Sequence, residues 1–211
     1  MPKRSFFIIN FIHLIKLLNL NPKTMENFQL SRGDVLVSEP STIGDLTFNR
    51  SVILLAHIDG DGAVGFIVNK PLDFNLEELI PEIEEHFRIF NGGPVEQENL
   101  YFIHDVPHLI TDSVKIKDGI YWGGSFDRIV DLINSKQITP KNIKFFLGYS
   151  GWDAMQLESE IDLNTWIIDT STKTEDILNS FKDGQFWQEK MKDLGGEYLL
   201  WSNAPDNPNH N

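Results

Sequence analysis

The stretch Val52–Val68, VILLAHIDGDGAVGFIV, constrains this chain more than any other. Val52–Ile58 is an apolar run rich in branched side chains, short enough to be a buried strand. Asp59-Gly60-Asp61-Gly62 follows, made of residue types that tolerate positive φ and close tight turns. Ala63–Val68 then returns as a second apolar run. Two such runs across a short turn predict an antiparallel hairpin. Asn69-Lys70-Pro71 ends it, because Pro71 lacks a ladder donor and restricts the residue before it. Antiparallel pairing brings Arg50-Ser51 and Asn69-Lys70 near each other at the strand ends, where Asp45 completes a polar cluster.

The rest of the chain interleaves strands and helices. Strands are expected at Asp34–Val37, Leu100–His104, Ile120–Trp122, Ile143–Tyr149 and Trp166–Ile168. Asn75 with Glu78 forms a capping-box pattern for a short helix over Leu76–Leu79. Ser125 is placed to cap an amphipathic helix through Asn134. Thr172 with Glu175 is placed to open another through Phe181. Gln185–Leu194 reads as a last helix, closed by Gly195. Hairpins dominate the first half, which favours an α+β fold with a mixed sheet over a doubly wound parallel one. With 211 residues, one domain is expected. Its limits are set at residues 25–202, with a polar, disordered tail at 203–211.

Residues 5–20, SFFIINFIHLIKLLNL, have the look of a leader or anchor. The segment is short for a span, His13 and Lys16 interrupt it, and no small-x-small cleavage pattern follows. Residues 1–24 are therefore read as a non-structural extension or an early start, with a membrane-surface helix as the alternative.

The chain carries a net charge of −13. Lys3, Arg4, Lys16 and Lys23 give the first 24 residues +4 with no acid, so the remainder carries −17. A body this acidic repels a phosphate backbone, which argues against direct nucleic-acid contact. A basic protein partner or a cationic ligand is easier to attract. No cysteine is present, which excludes disulfides, thiolate metal sites and Cys nucleophiles and fits a reducing, cytoplasmic location.

Chemistry is sought first in Ile143–Glu160, IKFFLGYSGWDAMQLESE. Gly148-Tyr149-Ser150-Gly151-Trp152 reads as a strand-to-helix turn. A nucleophile elbow needs G-x-S-x-G, and here Trp152 stands where the second Gly belongs. Ser150 is expected to cap the helix that follows. His104 and His108 have metal-ligand spacing, but Pro107 breaks the helix that would align them. Asp59-x-Asp61-Gly62 resembles a calcium loop whose twelfth position would be Lys70, so a hairpin turn is favoured. Gly92-Gly93 and Gly123-Gly124 match no phosphate-binding pattern and read as sharp turns. Trp122, Trp152 and Trp166 either line a groove with Tyr149 or pack in the core.

Four ordered blocks resemble one bacterial family: Arg50–Leu55 with Gly65–Pro71, Gly92–Val95, Tyr121–Ser125, and Gly148–Trp152 with Gln156-Leu157-Glu158. Their order and spacing are similar to those of the YqgE/AlgH family over about residues 33–168. The resemblance implies a compact α+β domain, its branched, mainly antiparallel sheet curled towards a barrel and flanked by helices, in the cytoplasm. It also brings the label of transcriptional regulator that some members carry, which the acidic body makes indirect at best.

The resulting expectation is a non-catalytic binding or regulatory protein with no catalytic residue, metal or cofactor assigned. Its partner is an unidentified protein or small molecule. Its site is expected where Asn69-Lys70-Pro71, Gly92-Gly93-Pro94 and Gly148–Trp152 converge, using Arg50, Ser51, Asn69, Lys70, Gly92, Gly93, Tyr149, Ser150, Gly151, Trp152 and Gln156. The rivals are a hydrolase pairing Ser150 or Ser51 with His57 or His104, and an acidic interaction scaffold.

Overall fold

A computed structural model describes residues 30–40, 42, 45–179 and 185–204. The expectations for residues 1–24, for Phe181 and for residues 205–211 lie outside the described residues. The described elements are β1 (Val35–Ser38), β2 (Val52–Asp59), β3 (Gly62–Ile67), β4 (Pro71–Asn75), α1 (Leu76–Leu79), β5 (Arg88–Asn91), β6 (Val95–His104), β7 (Val114–Lys117) and β8 (Ile120–Trp122). They continue with α2 (Ile129–Asn134), β9 (Ile143–Asp153), α3 (Gln156–Asp162), β10 (Trp166–Asp169), α4 (Thr174–Leu178), α5 (Gln185–Leu194) and α6 (Tyr198–Ser202).

The ten strands form one branched sheet that does not close into a barrel. Its main path runs β10-β1-β2-β3-β9-β6-β8-β7, with β4 and β5 off it. All pairings are antiparallel except β5 with β9. The branch lies on β9. Its first half pairs with β5 through Phe145–Leu147, and its second half pairs with β3 through Ser150–Asp153. Ile67 N–H donates to Gly92 O at 3.0 Å and Gly92 N–H donates to Leu147 O at 2.9 Å, stitching the fork.

The predicted hairpin is β2–β3, and both its faces are covered. Val52, Leu54, Ala56 and Phe66 point into one core with Ile177 of α4 and with Phe186, Trp187 and Met191 of α5. Ile53, Leu55, Ala63 and Ile67 point into another with Trp152, Leu157 of α3 and Trp166. Each such side chain contributes about 1.5–3 kcal/mol on full burial, so an uninterrupted apolar run is what a strand buried on two faces requires. A third core packs Phe102 and Phe145 under α1 and α2.

Three local expectations change. β9 does not turn into a helix at Gly148–Trp152; it runs on to Asp153, because β3 pairs with residues 150–153 and keeps them extended. Ser150 therefore caps nothing. Ser125 does not cap a helix either. Its N–H donates to Thr111 O at 2.9 Å, and α2 starts only at Ile129. The Thr172 hydroxyl donates to Asp169 Oδ2 at 2.8 Å rather than to a helix end, and Lys173 is the residue before α4. The Asn75–Glu78 cap forms as expected, with Asn75 N–H donating to Glu78 at 2.9 Å. No helix among the described residues is long and apolar enough to cross a membrane.

Candidate functional site

The three expected loops do meet, but as packed backbone. Asn91 N–H donates to Lys70 O at 2.8 Å. A Cβ on Gly92 would sit 2.1 Å from Gly148 O, and one on Gly93, whose φ is +151°, would sit 2.3 Å from the Tyr149 carbonyl. Only glycine permits that approach. The Ser150 hydroxyl is buried and donates to Gly92 O at 3.1 Å. The junction is thus a joint in the sheet.

Arg50, Ser51, Asn69 and Lys70 gather at the outer end of the hairpin, as expected. Asn69 accepts from Val52 N–H at 2.8 Å and donates to Arg50 O at 2.9 Å, fastening β3 to the start of β2. Ser51 N–H donates to Ser38 Oγ at 2.9 Å, and its hydroxyl donates to Thr47 O at 3.3 Å. Lys70 Nζ also donates to Thr47 O. Burial pushes its pKa down to about 8, with Asp45 pulling the other way. The Arg50 guanidinium reaches Ala204 O at 2.9 Å and lies 5.1 Å from the centre of the Trp187 ring. These contacts organise the fold.

Neither serine of the hydrolase reading is hydrogen-bonded to a histidine. His104 is fully buried; its Nδ1 accepts from Val106 N–H at 3.2 Å and its Nε2 lies 3.1 Å from Gly123 O. That pattern requires the neutral ring with its proton on Nε2, and burial pushes its pKa down. His57 Nε2 lies 2.8 Å from Asp59 Oδ2. Among the described residues, no group of three or more His, Asp or Glu side chains is placed to hold a metal ion.

An open concavity lies next to the junction, on the sheet face. It is a cleft of about 420 Å³ lined by His57, Asp59, Asp61, Gly62, Ala63, Val64, Val95, Tyr149, Gly151, Trp152 and Asp153. Strand register explains it. His57 pairs with Val64 and Val64 with Gly151; Asp59 pairs with Gly62 and Gly62 with Asp153. The two rows lie two residues apart along each strand, so they share one face. Gly151 lacks a side chain in the first row, which clears a trough on this face; Gly62, at φ +147°, instead allows close backbone approach, since a Cβ on it would sit 2.2 Å from Trp152 O. Gly148 aims its upper wall: φ of +68° there resets the alternation of β9, so Tyr149 packs with the same core as Phe146. Tyr101 meets the Tyr149 ring edge-on at 5.7 Å. At the tip, the hydrogen bonds from His57 and from Asp61 N–H hold the Asp59 carboxyl below the usual carboxylate range.

Of the sequence-predicted residues, Tyr149, Gly151 and Trp152 reach the cleft. Gln156 stays outside its lining and donates to Glu160 Oε1 at 2.9 Å. Glu160 Oε2 accepts both indole N–H groups, Trp152 at 2.9 Å and Trp166 at 2.7 Å, so both tryptophans are fixed in the core beneath the trough. Val64, Val95 and Asp153 were not singled out from the sequence, and His57, Asp59 and Asp61 were considered only as a hydrolase base and a calcium-like turn, not as parts of this cleft. Asp59, Asp61 and Gly62 were visible as a turn, but nothing in the sequence reveals that β9 pairs with β3 there.

Comparison with known proteins gives concordant results. A family model described as DUF179, AlgH-like, matches residues 35–199. A UPF0301 protein from Cytophaga hutchinsonii is 39% identical over 184 residues, covering 86% of this chain and all of that protein. A UPF0301 protein from Bacteroides fragilis is 39% identical over 187 residues, covering 88% and 93%. Among solved structures, the AlgH protein from Pseudomonas aeruginosa has the same fold, with a TM-score of 0.64 at 22% identity, covering 84% of this chain and 97% of that one. So does protein DIP2367 from Corynebacterium diphtheriae, with a TM-score of 0.64 at 19% identity over 85% and 95%.

Proposed function

We propose a binding function, starting from the fact that this chain belongs to the AlgH-like family: it is a non-catalytic cytoplasmic protein that holds a partner or ligand in the trough over Gly151, without direct contact to DNA. The observation that carries this reading is the clearance at Gly151 beside the hairpin tip. A side chain is missing from the row His57–Val64–Gly151, where a Cβ would meet only the Tyr149 ring edge and Val95, leaving a cleft of about 420 Å³, within the range typical of ligand pockets. Chemistry is less well supported. The cleft holds a base with an orienting carboxylate, His57 with Asp59, but its lining has no Ser, Thr or Cys side chain for that base to activate. The acidic body supports an indirect route for any regulatory role.

The test is a small-fragment screen read by amide chemical shifts of the labelled protein. Fragments are expected to shift Val64, Gly151 and Asp153 together. A folded Gly151→Leu variant, whose side chain fills the trough, is expected to lose those shifts. Fragments that cluster elsewhere, or that bind the variant unchanged, would sink the reading.

A further inference from the structure

The trough has two chemically different ends. Tyr149, Val64 and Val95 form an apolar, aromatic upper end around Gly151. Asp59, Asp61 and Asp153 form the end at the hairpin tip, around Gly62. The Gly151 row and the Gly62 row are two residues apart, about 6.6 Å at ordinary strand rise. An alkyl stem of four or five atoms spans that distance. A ligand filling both ends therefore needs an apolar stem and a positive head.

Resting on the binding reading above, we infer that this cleft takes a cationic group on a short alkyl stem: an ammonium or guanidinium seated among Asp59, Asp61 and Asp153, with its stem against Val64 and the Tyr149 ring. The aromatic wall supplies apolar area for the stem. The charge beyond the cleft has the same sign, since residues 25–211 carry −17, which draws cations toward the mouth. The chemistry has two sources, a free small amine or a lysine or arginine side chain presented by a protein.

The test uses the full chain and defined probes. Cadaverine and agmatine represent the free amine. N-acetyl-lysine-N-methylamide and N-acetyl-arginine-N-methylamide represent the peptide-borne side chain. N-acetyl-norleucine-N-methylamide is the uncharged control and N-acetyl-glutamate-N-methylamide the anionic one. Amide shifts of Val64, Gly151 and Asp153 are followed in titrations at low and high salt. At least one cationic pair is expected to bind about tenfold tighter than the norleucine probe and to weaken with salt. The Asp59→Asn/Asp153→Asn variant is expected to lose most of that advantage while still binding norleucine. Tighter binding by the amines assigns a free ligand; tighter binding by the blocked residues assigns a protein segment. If norleucine binds as tightly as the cations, or the glutamate probe binds better, the cation assignment is overturned and the trough stands as a binding site. If no probe shifts the trough signals beyond those of Gly151→Leu, the cation assignment falls; whether the trough itself also falls is decided by the fragment screen.

Discussion

The Ser150 hydroxyl donates to the Gly92 carbonyl across the fork of the sheet, at 3.1 Å and fully buried. It ties β9 to the residue that follows β5, and Gly92 O also accepts from Ile67 N–H of β3 at 3.0 Å. Removing the hydroxyl therefore leaves the carbonyl satisfied. Ser150→Ala is expected to cost only about 1 kcal/mol in urea unfolding and to leave ligand shifts in the trough intact. Loss of trough binding in a folded Ser150→Ala protein would show a functional hydroxyl instead.

The glycines of the site divide by what surrounds them. A Cβ on Gly93 would lie 2.3 Å from backbone atoms of Tyr149, and its φ of +151° strains any side chain. A Cβ on Gly151 would meet only the Tyr149 ring edge at 3.2 Å and Val95 at 3.7 Å. Gly93→Ala is expected to destabilise by about 3 kcal/mol, and Gly151→Ala by about 0.5 kcal/mol. Paired unfolding curves check this; equal losses would mean that Gly151 serves the fold rather than the trough.

Glu160 fixes two tryptophans at once. Glu160→Leu leaves the indole N–H groups of Trp152 and Trp166 buried without their shared acceptor, at a cost of about 2–4 kcal/mol. Glu160→Gln keeps an acceptor oxygen and is expected to lose less than half of that. Denaturant midpoints give the stability, and tryptophan emission reports whether the two rings have moved. Unchanged emission in Glu160→Leu would count against this carboxylate as their anchor.

Buried Lys144 and half-buried Lys70 should make stability depend on alkaline pH. Burial pushes the Lys70 pKa down to about 8, against Asp45, and pushes Lys144 well below its usual value. Lys144 lies 4.0 Å from the centre of the Phe90 ring and donates to Ile177 O at 3.2 Å. In both cases the unfolded chain binds the proton more tightly, so the penalty is complete below the folded pKa. It is relieved as pH rises towards the unfolded value near 10.5. Between about pH 8 and pH 10.5 the natural protein is expected to show a more positive slope of stability with pH than Lys70→Met, and likewise than Lys144→Met below that range as well. Parallel slopes would mean that these amines remain charged when folded.

The hairpin, the α1 cap and α5 were legible because each is specified within a few residues, although α5 is not the last helix: α6 follows at Tyr198–Ser202. Asp59–Gly62 supplies the turn, Asn75 and Glu78 supply the cap, and the branched apolar run suits a strand covered on both faces. The misreadings share one cause. Ser125, Ser150 and Thr172 are all good caps by type, and each is held by another contact instead: Thr111 bonds the Ser125 N–H, β3 holds Ser150 extended, and Asp169, three residues back, takes the Thr172 hydroxyl. A cap preference worth about 1 kcal/mol yields to ladder pairing and burial.

The sequence by itself determined the family, the α+β class, the acidic charge and the meeting of Asn69 with Arg50, because these follow from composition, ordered motifs and one local hairpin. Only the tertiary structure decided where the cleft is. Asp59 and Asp153 are separated by most of the chain, and they line one trough because β9 outlasts its first partner β5 and pairs with β3 at Gly62. Register between remote strands is a property of the packed sheet, set by which faces can be buried together, and no window of local sequence contains it.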